Sequence, residues 1–307
     1  MLHNIAHRGA SAYEIDIVII GHFAKDQLIV DGRGELSSGG AVYYGSVALR
    51  QIGLRVAIVT RLHPEDFPRL EEVKREGVHV FVTPAPETSG IANFYHSADM
   101  ERRVCKSLGF ADPFRLEDIP ALSAQIYYIG PIIAGEVDLP LLESIAVWGP
   151  LALDVQGFVR VREGEQLVFR QWAEMEQGLQ HVTYLKVDRA EAELLTGETD
   201  LRLAAGRLAS YGPREVLVTQ SSGVTVFADG HFYQAPFTPR SLAGRTGRGD
   251  TCFATYLGKR LTASPEEACR FAAAVTTLKQ ERPGPWRGTV AEVEAVLAVW
   301  EGDSSAK

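Results

Sequence analysis

At 307 residues the chain can hold one large α/β domain or two ordinary ones, and its 46% hydrophobic and 23% charged residues are those of a folded globular protein, not a disordered or fibrous one. A formal net charge of -8 without any Lys/Arg run excludes a stripe for a nucleic-acid backbone, and no apolar run approaches the roughly 20 residues that span a bilayer. The N-terminal "MLHNIAHRGASAYE" lacks the apolar core of a secretory signal, so a cytoplasmic location is expected, and Cys105, Cys252 and Cys269 are isolated, which fits neither a disulfide framework nor a cysteine zinc site.

Taken from the N-terminus, "IDIVIIG" (15 to 21) is a continuous apolar run that predicts a buried strand. "HFAKDQLIVDGRGELSSGG" (22 to 40) then alternates polar and apolar residues around a DG turn, as antiparallel strands do. "GGAVYYGSVALRQIG" (39 to 53) is a glycine pair feeding a helix with Val42, Gly45, Ala48, Leu49 and Ile52 turned inward. Gly39 and Gly40 either end the preceding strand or allow a ligand to approach the backbone. After the strand "RVAIVT" (55 to 60), a second alternating stretch runs over 78 to 107 and carries the turn PAPE. The two stretches predict a small β lid, because ligands of open α/β sheets bind where such insertions gather; plain edge strands are the alternative.

"QIYYIG" (125 to 130), "PLALDV" (150 to 155), "VTYLKV" (182 to 187) and "EVLVTQ" (215 to 220) are four more apolar strands alternating with helical stretches. That order predicts a parallel sheet covered on both faces. In "KVDRAEAELLTG" (186 to 197), Asp188 and Glu191 have capping-box spacing; alternatively they face a cleft and hold Mg²⁺ through water. "VLVTQSSGVTVF" (216 to 227) reads as strand, turn and strand, so Thr219, Ser221 and Gly223 either make the turn or contact nucleotide phosphates. Neither GxxxxGK[ST] nor GxGxxG occurs. "EEACRFAAAVTTLKQ" (266 to 280) predicts a helix opened by Pro265.

The densest signal is "GRTGRGDTCFATYL" (244 to 257), where three glycines and an aspartate fill seven positions ahead of a helix carrying Phe253, Ala254, Leu257 and Leu261. Asp250 is either an N-cap or a proton acceptor. Gly247 and Gly249 favour an anion site at the helix start, and a carboxylate beside it has a use if it deprotonates a nucleophile attacking a bound phosphoryl group.

In this order the pieces resemble the ribokinase, or PfkB, family of carbohydrate kinases over about residues 15 to 300, and the "GPIIAGEV" and "TGRGDT" stretches lean toward its inositol kinase-like branch. "GRTGRGD" keeps Thr246, Gly247, Gly249 and Asp250 of the DTxGAGD signature. The resemblance implies a ribokinase-like three-layer α/β fold, with a mostly parallel central sheet and a small β-strand lid (about 22–40 and 78–107) in a single domain over 1–307. It implies ATP and Mg²⁺ as cofactors and a small polyhydroxylated sugar or cyclitol as acceptor, with Asp250 as base and the amides of Gly247, Arg248 and Gly249 as anion hole. Asp26, Gly39, Gly40, Tyr44, Arg103 (or Arg102) and Glu136 would meet the acceptor. Asp188, Thr219, Ser221, Gly223 and Thr246 would serve ATP, and Glu191 the metal. No nucleic acid or membrane is expected as partner; a lid edge is open to pairing with another chain's lid as a homodimer, and a monomer is the alternative.

Four positions depart from the family pattern: Gly244 for the signature's first Asp, Arg248 for Ala, Asp188 for the Asn of NxxE, and Ser221 for the turn's Gly. Tyr44 replaces a sugar-binding Asn and speaks against ribose, since a phenol cannot offer the paired donor and acceptor of an amide. A nucleoside kinase whose lid and Tyr44 stack a base, and a non-catalytic sensor, are the alternative readings.

Overall fold

The computed structural model describes residues 14–30, 33–96 and 99–305. Its strands, in chain order, are β1 (Glu14–Ile20), β2 (Ala24–Val30), β3 (Arg33–Gly39), β4 (Val56–Leu62), β5 (His79–Pro84), β6 (Gly90–His96), β7 (Asp99–Gly109), β8 (Ser123–Ile129) and β9 (Leu151–Asp154). Then follow β10 (Arg160–Glu163), β11 (Gln166–Phe169), β12 (Tyr184–Asp188), β13 (Glu215–Gln220), β14 (Gly223–Ala228) and β15 (His231–Pro236). Nine of them form one sheet in the order β15-β14-β13-β12-β9-β8-β1-β4-β5. The run from β13 to β5 is parallel, and the β13–β14–β15 end is antiparallel.

The continuous apolar strands follow from burial on both sides. In β1, Val18 and Ile20 pack into a core with Leu142 and Ile145, whereas Ile17 and Ile19 face a second core with Val47, Phe253 and Ala272. Helices Leu139–Ala146, Arg189–Thr196 and Leu201–Ala209 cover the first face, and Ala41–Gln51, Arg248–Arg260 and Pro265–Gln280 the second. The result is the ribokinase-like α/β fold. The helix Pro265–Gln280 starts as expected, with Pro265 in its first turn, and Ser264 and Glu267 add a capping box that fixes the start.

A second sheet, in the order β10-β11-β7-β6-β2-β3, forms the lid. Its pairs are antiparallel except β2–β6, which run parallel. A Cβ on Gly90 would lie 2.1 Å from the Lys25 carbonyl oxygen, so only glycine lets β6 come in beside β2. The lid differs from its expected extent in two ways. The stretch His79–Pro84 belongs to the main sheet as edge strand β5, whose half-covered position produces the alternation that resembles a lid. The hairpin β10–β11, in "RVREGEQLVF", joins the lid from a distant part of the chain. No described helix is long and apolar enough to cross a membrane.

Candidate active site

Parallel strands deliver their C-terminal ends to one edge, and here β9, β12 and β13 bring Asp154, Lys186, Asp188 and Thr219 to that edge. The lid strands β2 and β3 face them with Asp26 and Ser37, opposite one another in register. A cleft of about 260 Å³ lies between, lined among others by Asp26, Tyr44, Lys186, Asp188, Thr246 and Asp250. Gly40, Thr219, Gly247, Arg248 and Gly249 also line it.

The loop 244–247 turns into the helix Arg248–Arg260 through Gly247, which is the N-cap at φ 78°. Its left-handed backbone suits glycine, and a Cβ would strike the Tyr44 ring at 2.3 Å. Asp250 is therefore not the cap; it stands at the third helical position, and among the described residues its carboxylate has no hydrogen-bond partner. Burial pushes its pKa up to about 6, with the Asp154 carboxylate adding to the rise and Lys186 opposing it. The amide of Arg248 donates to the Arg245 carbonyl, so it is not an anion-hole donor; the amides of Gly247, Gly249 and Asp250 have no backbone acceptor among the described residues. Three converging N–H groups at a helix start attract an anion.

On the lid side, Asp26 accepts from the Ile91 amide at 2.9 Å. A Cβ on Gly39 would come 2.3 Å from the Asp26 carboxylate, so Gly39 makes room for it without lining the cleft itself. Burial also lifts Asp26 to about 6, held back by the Ile91 amide and by Arg160. Gly40 caps the helix Ala41–Gln51 at φ 87°. Arg103 lies on β7, and its side chain and that of Arg102 fall outside the described residues.

Glu136 sits behind the cleft rather than in it. Fully buried, it accepts from the amides of Ile132 and Ile133 at 2.8 Å each and of His22 at 3.1 Å. Its carboxylate braces the loop after β8 and, being fully buried, does not line the cleft. Burial raises it to about 8 against those three amides. Ser221 is exposed in the β13–β14 turn, and Gly223 is a glycine because a Cβ would lie 2.5 Å from the Ala235 carbonyl oxygen in the next strand. Neither lines the cleft, whereas Thr219 does.

Asp188 and Glu191 form the capping box, with Asp188 Oδ1 accepting from the Glu191 amide at 2.8 Å and Glu191 Oε2 from the Asp188 amide at 2.7 Å. Glu191 Oε1 is buried without a partner. Burial raises the Glu191 pKa, and Lys186, 3.8 Å away, works against that rise. No group of three or more His, Cys, Asp or Glu side chains forms a metal cage among the described residues. An orphaned carboxylate oxygen beside the cleft-lining Asp188 still fits Mg²⁺ held through water and through the oxygens of a bound phosphate.

Several cleft residues escaped sequence reasoning. Lys186 Nζ lies 2.9 Å from Asp154 Oδ2, both side chains buried, and the attraction of Asp154 and Glu191 outweighs burial to hold the ammonium charged. The pair had a visible signal: a lysine in "VTYLKV" and an aspartate in "PLALDV", each inside an apolar strand, and Lys186 is opposite Asp154 in register. Buried charges of this kind occur paired. Gln156, on the short helical turn after β9, and Arg160, the first residue of β10, also line the cleft, and Arg245 comes from the glycine loop.

A profile of the pfkB family of carbohydrate kinases matches residues 11–288. The chain belongs to that family. It is a phosphotransferase that acts on a hydroxyl-bearing substrate and uses a phosphate donor. Among similar solved structures is a pyrophosphate-dependent kinase of the ribokinase family in a sulfate complex, 40% identical, covering 91% of this chain and 99% of that one with a TM-score of 0.85. A pyrophosphate-dependent kinase of the ribokinase family bound to a pyrophosphate analogue and myo-inositol is 39% identical, covering 91% of this chain and 99% of that one with a TM-score of 0.84. A cytidine kinase of Thermococcus kodakarensis is 26% identical over 274 residues, 83% of this chain and 92% of that protein. Membership accounts for the glycine loop ahead of the helix Arg248–Arg260 and for the lid set over the strand ends.

Proposed function

We propose that the protein transfers a phosphoryl group from pyrophosphate to a ring hydroxyl of a cyclitol such as myo-inositol. The observation that carries this reading is the lining of the cleft: Arg160, Lys186, Arg245 and Arg248 line it together with the free amides of Gly247, Gly249 and Asp250, and its apolar side chains are few, Tyr44, Ile91 and Ile132. A compact, highly charged donor suits such walls. The likeness to pyrophosphate-dependent kinases at 40% and 39% identity points the same way. ATP, which the family resemblance implies, is the competing donor.

In this reading Asp26 accepts a hydrogen bond from the acceptor and orients it, with Gln27 and Ser37 beside it in the cleft. Asp250, ionised above its pKa of about 6, takes the proton of the attacking hydroxyl. The three amides and Lys186 stabilise charge on the phosphoryl oxygens in flight. Magnesium, when bound, neutralises donor charge, and Asp188 with Glu191 would hold it through water. The lid excludes water from the transfer. Tyr44 does not stack a nucleobase here, because Gly247 and the Lys279 ammonium already cover its ring and leave the residue 4% exposed.

The test is a direct assay of phosphorylated product with pyrophosphate or ATP, with and without Mg²⁺, against myo-inositol, pentoses, hexoses, cytidine and adenosine. Turnover with pyrophosphate and myo-inositol is expected. Efficient turnover with ATP and a nucleoside, and none with pyrophosphate, would sink this reading and restore the nucleoside kinase.

A further inference from the structure

Lys279, near the end of the helix Pro265–Gln280, has no part in the chemistry above, yet it is only 2% exposed. An ammonium so placed needs partners. Its Nζ donates to the Gly244 carbonyl and lies 5.1 Å from the centre of the Tyr44 ring. No carboxylate lies within ion-pair distance of it among the described residues; Asp250, on the helix Arg248–Arg260, is the acid whose field reaches it. Arg240, Glu281 and Arg282 line, together with Lys279, a cavity of about 210 Å³.

Both partners belong to the frame of the cleft. Gly244 opens the glycine loop, its amide donates to the Gln280 carbonyl at 2.8 Å, and a Cβ there would lie 1.7 Å from the Arg282 carbonyl oxygen. Tyr44 in turn packs under Gly247, the cap of the catalytic helix. Ammonium, ring and cap glycine are thus linked in series.

We propose that Lys279 is a positioning residue whose ammonium, set between the Gly244 carbonyl and the Tyr44 ring, holds the loop 244–247 so that the amides of Gly247, Gly249 and Asp250 converge on one phosphoryl group. The proposal rests on reading that loop as the anion hole. The cation–π contact exists only while Lys279 is protonated, and burial lowers its pKa to about 8. The ammonium is therefore present below pH 8 and lost as the pH rises through it, and the rate should fall on the same limb.

The experiment measures kcat and KM from pH 6 to 10 for the wild type, Lys279→Met and Lys279→Arg, beside NMR titration of ¹³C-labelled lysine Cε in the wild type, assigned with the arginine variant. Wild-type kcat should fall about tenfold in all as the pH rises through 8 and then level off at the rate of Lys279→Met. Lys279→Met should lower kcat about tenfold at pH 7, leave acceptor KM within twofold, and abolish the limb, while Lys279→Arg, charged throughout, keeps more kcat and moves the limb beyond pH 10. Tyr44→Leu should shift the Lys279 titration to lower pH. If the methionine variant does not fold, the NMR titration and the arginine profile carry the test. A limb near pH 8 that persists in the variants, or a Lys279 signal titrating near pH 10, overturns the proposal. A wild type inactive with every donor and acceptor at every pH overturns the anion-hole reading itself.

Discussion

The two halves of the cleft treat charge in opposite ways. On the lid side Asp26, and on the helix start Asp250, carry carboxylates with no cation in ion-pair contact among the described residues, and burial raises both to about 6. Against these, Lys186 on the strand side is locked to Asp154 at 2.9 Å, and Arg160 of β10, Arg245 of the glycine loop and Arg248 of the helix start add positive charge. A neutral polyol needs acceptors and a base, whereas a phosphate donor needs cations and N–H groups. The difference therefore reads as two subsites, and the largest effect should come from the group at their junction. Asp250→Asn should lower kcat about 10³-fold while calorimetry still detects donor binding; a variant that keeps most of its rate would remove the base from the scheme.

The next effect tests the strand side. In Lys186→Met, Asp154 stays buried without its ammonium, which should cost about 3 kcal/mol of stability in urea denaturation and raise the donor KM about tenfold. Adding Asp154→Leu should recover most of the stability and none of the donor affinity. Recovery of both would reduce Lys186 to a structural partner.

How much of this was readable beforehand follows the same division. The apolar runs at 15 to 21, 55 to 60, 125 to 130, 150 to 155, 182 to 187 and 215 to 220 all became strands of the main sheet, because burial on both faces leaves an unbroken apolar signal. The lid was harder. A half-exposed edge strand such as β5 alternates just as a lid strand does, and the β10–β11 hairpin joins the lid across more than fifty residues of chain, which local pattern does not encode. Among site residues, Asp250, Gly247 and Gly249 came from a dense local motif. Lys186 and Asp154 come together only through strand register, and Glu136 turned inward because three amides converge on it, which no spacing announces.

Smaller effects sharpen the acceptor side. A carboxylate whose folded pKa lies above its unfolded value of about 3.9 costs the native state stability once it ionises, so the cost is full above pH 6, shrinks as the pH falls, and vanishes when both states are protonated below about pH 3. Asp26→Asn should thus raise Tm by about 2 °C at pH 8, by nothing near pH 3, and weaken acceptor binding at pH 8. A Tm gain that is equal at the two values would mean that packing, not charge, separates the variants. The smallest change is expected at Ser221. Its side chain is exposed in the β13–β14 turn and away from the cleft that Thr219 lines, so Ser221→Ala should leave donor KM within about twofold, as surface substitutions do. A tenfold rise would instead extend the donor subsite over the hairpin, farther than pyrophosphate reaches, and would favour a nucleotide in its place.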